Sequence, residues 1–107
     1  MGESMTMELK LADELGTHLA DVTRALTFRK ERIDPYVAMG AEIVVDFTGV
    51  RHGNSSFVNG LLTGLIEEHG EPLLDRMIFR GCNPLLRVLV EGAISLGLEK
   101  HSGRAKA

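Results

Sequence analysis

Residues 42–62 read "EIVVDFTGVRHGNSSFVNGLL", and the fold turns on this stretch. Glu42 to Phe47 is a short apolar run rich in valine, the pattern of a strand buried on both faces. Thr48 to Asn54 holds two glycines, Gly49 and Gly53, and reads as a loop. From Ser55 or Ser56 the apolar residues return at Val58, Leu61, Leu62, Leu65 and Ile66, which is helical spacing. Gly60 and Gly64 are four apart on one side of that helix. They allow a close approach to the sheet or to another helix, at a cost in helix propensity. Gly70 is the stop.

Working outward, "MTMELKL" at 5–11 alternates apolar and polar residues, as a strand with one buried face does. Gly16 marks a turn, and "THLA" at 17–20 reads as a short returning strand. Asp21 caps a helix whose stripe is Val22, Leu26, Ile33 and Val37. Arg29 falls on that stripe, its stem along the core edge and its head toward water. Pro35 breaks the pattern, and Asp34-Pro35 reads as a cap and first-turn proline from which the helix restarts. Gly40 ends it. Beyond the central stretch, "RMIFRG" at 76–81 is a strand, and Asn83-Pro84 opens a helix to about Leu98. That helix is apolar over much of its circumference, so it packs hard on the sheet or offers a face, and 84–98 is a candidate homodimer surface. The order predicts an α/β sandwich: a mixed central sheet of about four strands with helices packed on it. The predicted domain is 1–99, followed by a basic, disordered tail at 100–107.

The chain has 107 residues and one cysteine, Cys82. The length suits one domain with a modest core. A lone cysteine excludes an internal disulfide and a multi-cysteine zinc site, and a reducing cytoplasm is the expected home. The net charge of -3 argues against nucleic acid, which calls for a basic face. No apolar run approaches a membrane span, and the first ten residues lack the core of a signal peptide. Residues 1–6 meet the short myristoylation pattern, one often met by chance.

Several residues invite a chemical reading. Arg51-His52-Gly53 after a strand resembles the histidine phosphatases, but the further arginines and second histidine of those sites have no counterpart in a motif here. Cys82 and Arg87 resemble the cysteine phosphatases, with four intervening residues instead of five and with Pro84 where backbone donors are wanted. The four histidines are scattered without the pairing of helical zinc motifs, and no Gly-rich phosphate loop is present. No nucleophile-base-orienter set emerges, so no enzyme, cofactor or metal is expected. Ser55 and Ser56 stand where a helix begins. Their hydroxyls read as caps; a phosphate there would be held by the same free N–H groups and the helix dipole.

"VVDFTGV", a short loop, "NSSF" and then a helix together resemble the STAS domain of bacterial anti-sigma-factor antagonists and sulfate-transporter tails. The closer resemblance is to the STAS-like family of unknown function. It is carried by Thr23-Arg24-Ala25-Leu26, Arg29 to Pro35, Val44 to Val50 and Ser55-Ser56-Phe57. It continues through "HGEPLLDRMIFRGCNPLLRVLVEGAI", covering roughly residues 20–98. The resemblance implies a non-enzymatic bacterial regulatory module that binds an anti-sigma or ATPase/kinase-like protein through the 48–57 loop and following helix. The serine phosphorylated in the antagonists maps onto Ser55, with Ser56 beside it. Arg24, Arg29, Asp46, Arg51, His52, Asn54 and Phe57 are the candidate partner or ligand contacts. The alternative it implies is a small-ligand or nucleotide sensor. Two departures stand out: Asn54 replaces the usual Asp, and Asn59-Gly60 after Val58 replaces an acidic pair.

Overall fold

The computed structural model describes residues 5–106, with side chains to Gly103; the myristoylation pattern begins outside them. The elements run β1 (Thr6–Lys10), α1 (Leu11–Leu15), β2 (His18–Leu19), α2 (Val22–Phe28), a π-helical turn (Arg29–Ile33), α3 (Asp34–Ala38), β3 (Glu42–Asp46), β4 (His52–Gly53), α4 (Ser55–His69), α5 (Glu71–Leu74), β5 (Met77–Arg80) and α6 (Pro84–Lys106). The fold is α/β, as expected. Its strands form a three-stranded sheet, β1-β3-β5, and a two-stranded ribbon, β2-β4. Every described pairing is parallel, where the sequence pattern suggested a mixed sheet of about four strands. The reason lies in the connections. Each neighbouring pair is joined by a long crossover carrying at least one helix, and a parallel pair requires this. The short strand at 17–20 does not return along β1, because α1 intervenes.

Register places Met7, Ile43 and Met77 in one row and Leu9, Val45 and Phe79 in the next. This face is covered by the helices: Leu9, Ile43 and Val45 are fully buried. The opposite face carries Thr6, Glu8, Lys10, Ile78 and Arg80, all exposed. Val44 lies on that face and is nonetheless buried, between Glu8 and Ile78 in its row, on the face that also carries the Glu8–Arg80 ion pair of 3.1 Å. Central β3 is therefore buried on both faces, while its neighbours are buried on one.

The α2–α3 region departs from simple periodicity. Val22 and Leu26 are 41% and 51% exposed, and the buried positions are Ala25, Phe28, Ile33 and Val37. The π turn accounts for the shift. Asp34 donates its N–H five residues back, to the Arg29 carbonyl, and Pro35 has no N–H to resume the normal ladder. The wider turn keeps Phe28 and Ile33, five apart, on the core side.

Helix α4 is the middle of the helical layer, packed mainly on α6 and also on α2. Its glycines do what their spacing suggested. A Cβ at Gly60 would lie 3.0 Å from Val22 Cγ2, and one at Gly64 would collide with the Arg29 guanidinium. Across the other seam the Thr63 hydroxyl donates to the Ala93 carbonyl at 3.1 Å. Helix α6 continues to Lys106, so 100–106 extend the helix where a tail was expected. His101 anchors this extension: its Nδ1 lies 2.8 Å from the Glu67 carbonyl oxygen, and its ring packs over Gly70.

Candidate functional site

The loop after β3 is tied down at each step. Asp46, largely buried, accepts the Thr48 N–H at 2.8 Å. The hydroxyl of Thr48, then its N–H, then Arg80 and Lys10 hold the Asp46 carboxyl below the usual carboxylate range. Gly49, at φ +89°, makes the turn, and Val50 bonds back to the Phe47 carbonyl at 2.9 Å. The Thr17 carbonyl accepts from both Arg51 and His52, at 2.9 and 3.2 Å, and Asn54 N–H donates to Leu19 at 3.0 Å. Gly81, at φ +73°, closes the other side, where a Cβ would run into Thr48.

Two helices start at this loop by the same device. Asn54 Oδ1 accepts the Phe57 N–H at 2.8 Å while its Nδ2 donates to the Ala20 carbonyl at 3.3 Å. Asn83 Oδ1 accepts the Leu86 N–H at 2.9 Å while its Nδ2 donates to the Arg51 carbonyl at 3.2 Å. Each amide caps a helix and ties a neighbouring loop with its donor end, which an aspartate lacks. This is the structural role of Asn54, at the position where the resemblance leads one to expect Asp. It also moves the capping duty off the serines. Ser55 and Ser56 are the first two residues of α4, both exposed, and among the described residues neither hydroxyl has a protein hydrogen bond. Arg51 and His52 are exposed beside them. Phe57 is 2% exposed and belongs to the core, so it is not part of the surface.

The two arginines of the first helix lie elsewhere. Arg29 is half-buried over Gly64, paired with Asp34 and Glu68 at 3.4 Å each. Gly64 is nine residues from Ser55, roughly 14 Å along the helix at 1.5 Å per residue. Arg24 donates to the Leu15 carbonyl at 3.3 Å and lines an open groove of about 290 Å³ with Thr27, Phe28 and Arg32. Glu14 holds the Arg32 guanidinium at 2.7 Å and raises its already high pKa.

Cys82 lines a different cleft, of about 320 Å³, between β5 and α6, with Arg87 and Glu91. Burial pushes its thiol pKa up, against the opposing pull of Arg87. Burial of this kind disfavours the thiolate form. His52 has a neighbour that no sequence signal marked: His18 is its register partner across the β2-β4 ribbon. Their spacing of 34 residues carries no motif.

The fold and this loop define an α/β domain in which a buried central strand leads through a hydrogen-bonded loop into a capped helix. The model of the STAS-like domain of unknown function matches residues 25–86, more than half of the chain, and the chain belongs to that family. No curated protein and no solved structure matches it. Among the described residues no helix is long and apolar enough to cross a membrane.

Proposed function

We propose that the chain is a non-enzymatic bacterial regulatory module that docks a protein partner through the exposed part of the 48–57 loop and the start of α4, with Ser55 as a phosphorylation switch. The observation that carries this reading is the division of labour at the helix start. Asn54 does the capping, which leaves the Ser55 hydroxyl exposed and uncommitted at the mouth of a 15-residue helix. A phosphate there meets the positive end of the dipole and the first free N–H groups, and it presents about -1.5 to -2 charges to whatever docks. Arg51, His52, Ser55 and Ser56 supply the contact surface. The partner class, an anti-sigma or ATPase/kinase-like protein, comes from the family resemblance, and the cytoplasmic setting from the lone cysteine, Cys82.

The test is affinity chromatography from the native host with the unmodified chain, followed by binding with Ser55→Ala and Ser55→Asp. Ser55→Ala should bind as the parent does. Ser55→Asp should bind less well while melting within about 1 kcal/mol equivalent of the parent, since Asp suits a helix start. A second reading, small-ligand sensing, is favoured by the groove beside Arg24. A thermal-shift screen with nucleotides separates the two, because a ligand of the folded state raises the melting temperature by mass action. Turnover of a generic phosphomonoester that vanishes in His52→Ala would replace both readings with an enzyme.

A further inference from the structure

His18 and His52 are held together by the backbone. They are register partners in the parallel β2-β4 ribbon, and the ribbon is pinned because Thr17 and Leu19 carbonyls accept from Arg51, His52 and Asn54. Partners in register project from the same face, and the two rings stand 4.8 Å apart between centroids, tilted by 39°. Thr17 Oγ1 lies 3.2 Å from His18 Nδ1; the other three ring nitrogens have no protein hydrogen bond among the described residues. Both side chains are exposed and border a shallow recess of about 210 Å³ with Leu19, Ala20, Gly53 and Asn54. An ion binding here would keep much of its water, which lowers the desolvation cost.

We propose that His18 and His52 form a binding site for a late first-row divalent ion such as Zn²⁺ or Ni²⁺. Each ring supplies one neutral imidazole nitrogen, and water fills the remaining positions. Imidazole selects these ions over Mg²⁺ and Ca²⁺, which take oxygen ligands. Among the described residues no group of three or more His, Cys, Asp or Glu gathers, so the coordination is open rather than a closed structural site. Two ligands already placed by the ribbon bind with less ordering cost than two brought together by the ion.

The test is calorimetric titration of the untagged full-length chain with ZnCl₂, NiCl₂ and MgCl₂, each alone. One saturable equivalent of Zn²⁺ or Ni²⁺ is expected, with no saturable binding of Mg²⁺. His18→Ala and His52→Gln should each weaken binding by about tenfold or more, a change on the scale of impaired metal ligation. His69→Ala, at the far end of α4, should leave it unchanged. Ring-proton NMR of the unaltered chain gives the same answer without substitution: Zn²⁺ must perturb His18 and His52 first. Absence of saturable binding, its persistence without both histidines, its loss in His69→Ala, or a first response at His69 or His101 would each overturn the site. The titration contains neither partner nor phosphate, so its result is independent of the Ser55 switch.

Discussion

Gly92 and Gly97 lie five residues apart on α6, and the same substitution should move stability in opposite directions at the two. At Gly92 an added Cβ meets nothing within 4 Å. Gly92→Ala should therefore gain the helix-propensity difference, about 1 kcal/mol. At Gly97 the Cβ would lie 2.6 Å from Ile66 Cβ and 2.8 Å from the Thr63 carbonyl oxygen. Neither can yield like a flexible side-chain tip, so α6 must back away from α4 by about 1 Å to restore ordinary contact distances. That retreat also stretches the Thr63–Ala93 hydrogen bond. Overpacking costs about 1–3 kcal/mol, which at least offsets the same propensity gain and leaves Gly97→Ala up to about 2 kcal/mol less stable. The variants should differ by about 1–3 kcal/mol, which for a domain of this size is roughly 4 °C or more in melting temperature. Urea melts with unchanged slope and thermal melts read this directly. A Gly97→Ala protein that melts with or above Gly92→Ala would refute the close α4–α6 seam.

Other consequences follow from burial and charge. Val45→Asp places a carboxylate on the helix-covered face and should cost roughly 3 kcal/mol or more. Val44→Asp, on the opposite face between Glu8 and Ile78 with Lys10, Asp46 and Arg80 in the next row, should cost less, and chemical denaturation ranks them. Asp46 has a depressed carboxyl pKa in the fold, so its contribution is complete above the ordinary carboxylate range and is lost as pH falls through the lowered folded value. Asp46→Asn should flatten the acid limb of stability against pH, measured by urea melts in a buffer series. The raised Cys82 thiol should alkylate more slowly than free cysteine at neutral pH; iodoacetamide labelling followed by mass spectrometry checks this.

The sequence was legible where one physical rule governs a segment. A valine run marks β3, glycine spacing marks the close face of α4, and Asn-Pro marks the start of α6. Reading failed where two rules competed. A simple helical period phases the α2–α3 stripe on Val22 and Leu26, but the π turn interrupts that period and puts Phe28 inside instead. Ser55 and Ser56 looked like caps because serine caps well, yet Asn54 precedes them and its two-ended amide does more. The His18–His52 pair depends wholly on the register of two-residue strands, for which local pattern carries no signal. The end of α6 looked solvated by composition, but His101 is fixed by a tertiary contact with α4.

The most direct test of the account is the affinity of the captured partner for two forms of this chain, unmodified and phosphorylated at Ser55, measured side by side with the melting temperature of each. Phosphorylation at Ser55 should weaken binding by about tenfold or more, equivalent to about 1.4 kcal/mol, with the fold intact. Equal affinity of the two forms would contradict it.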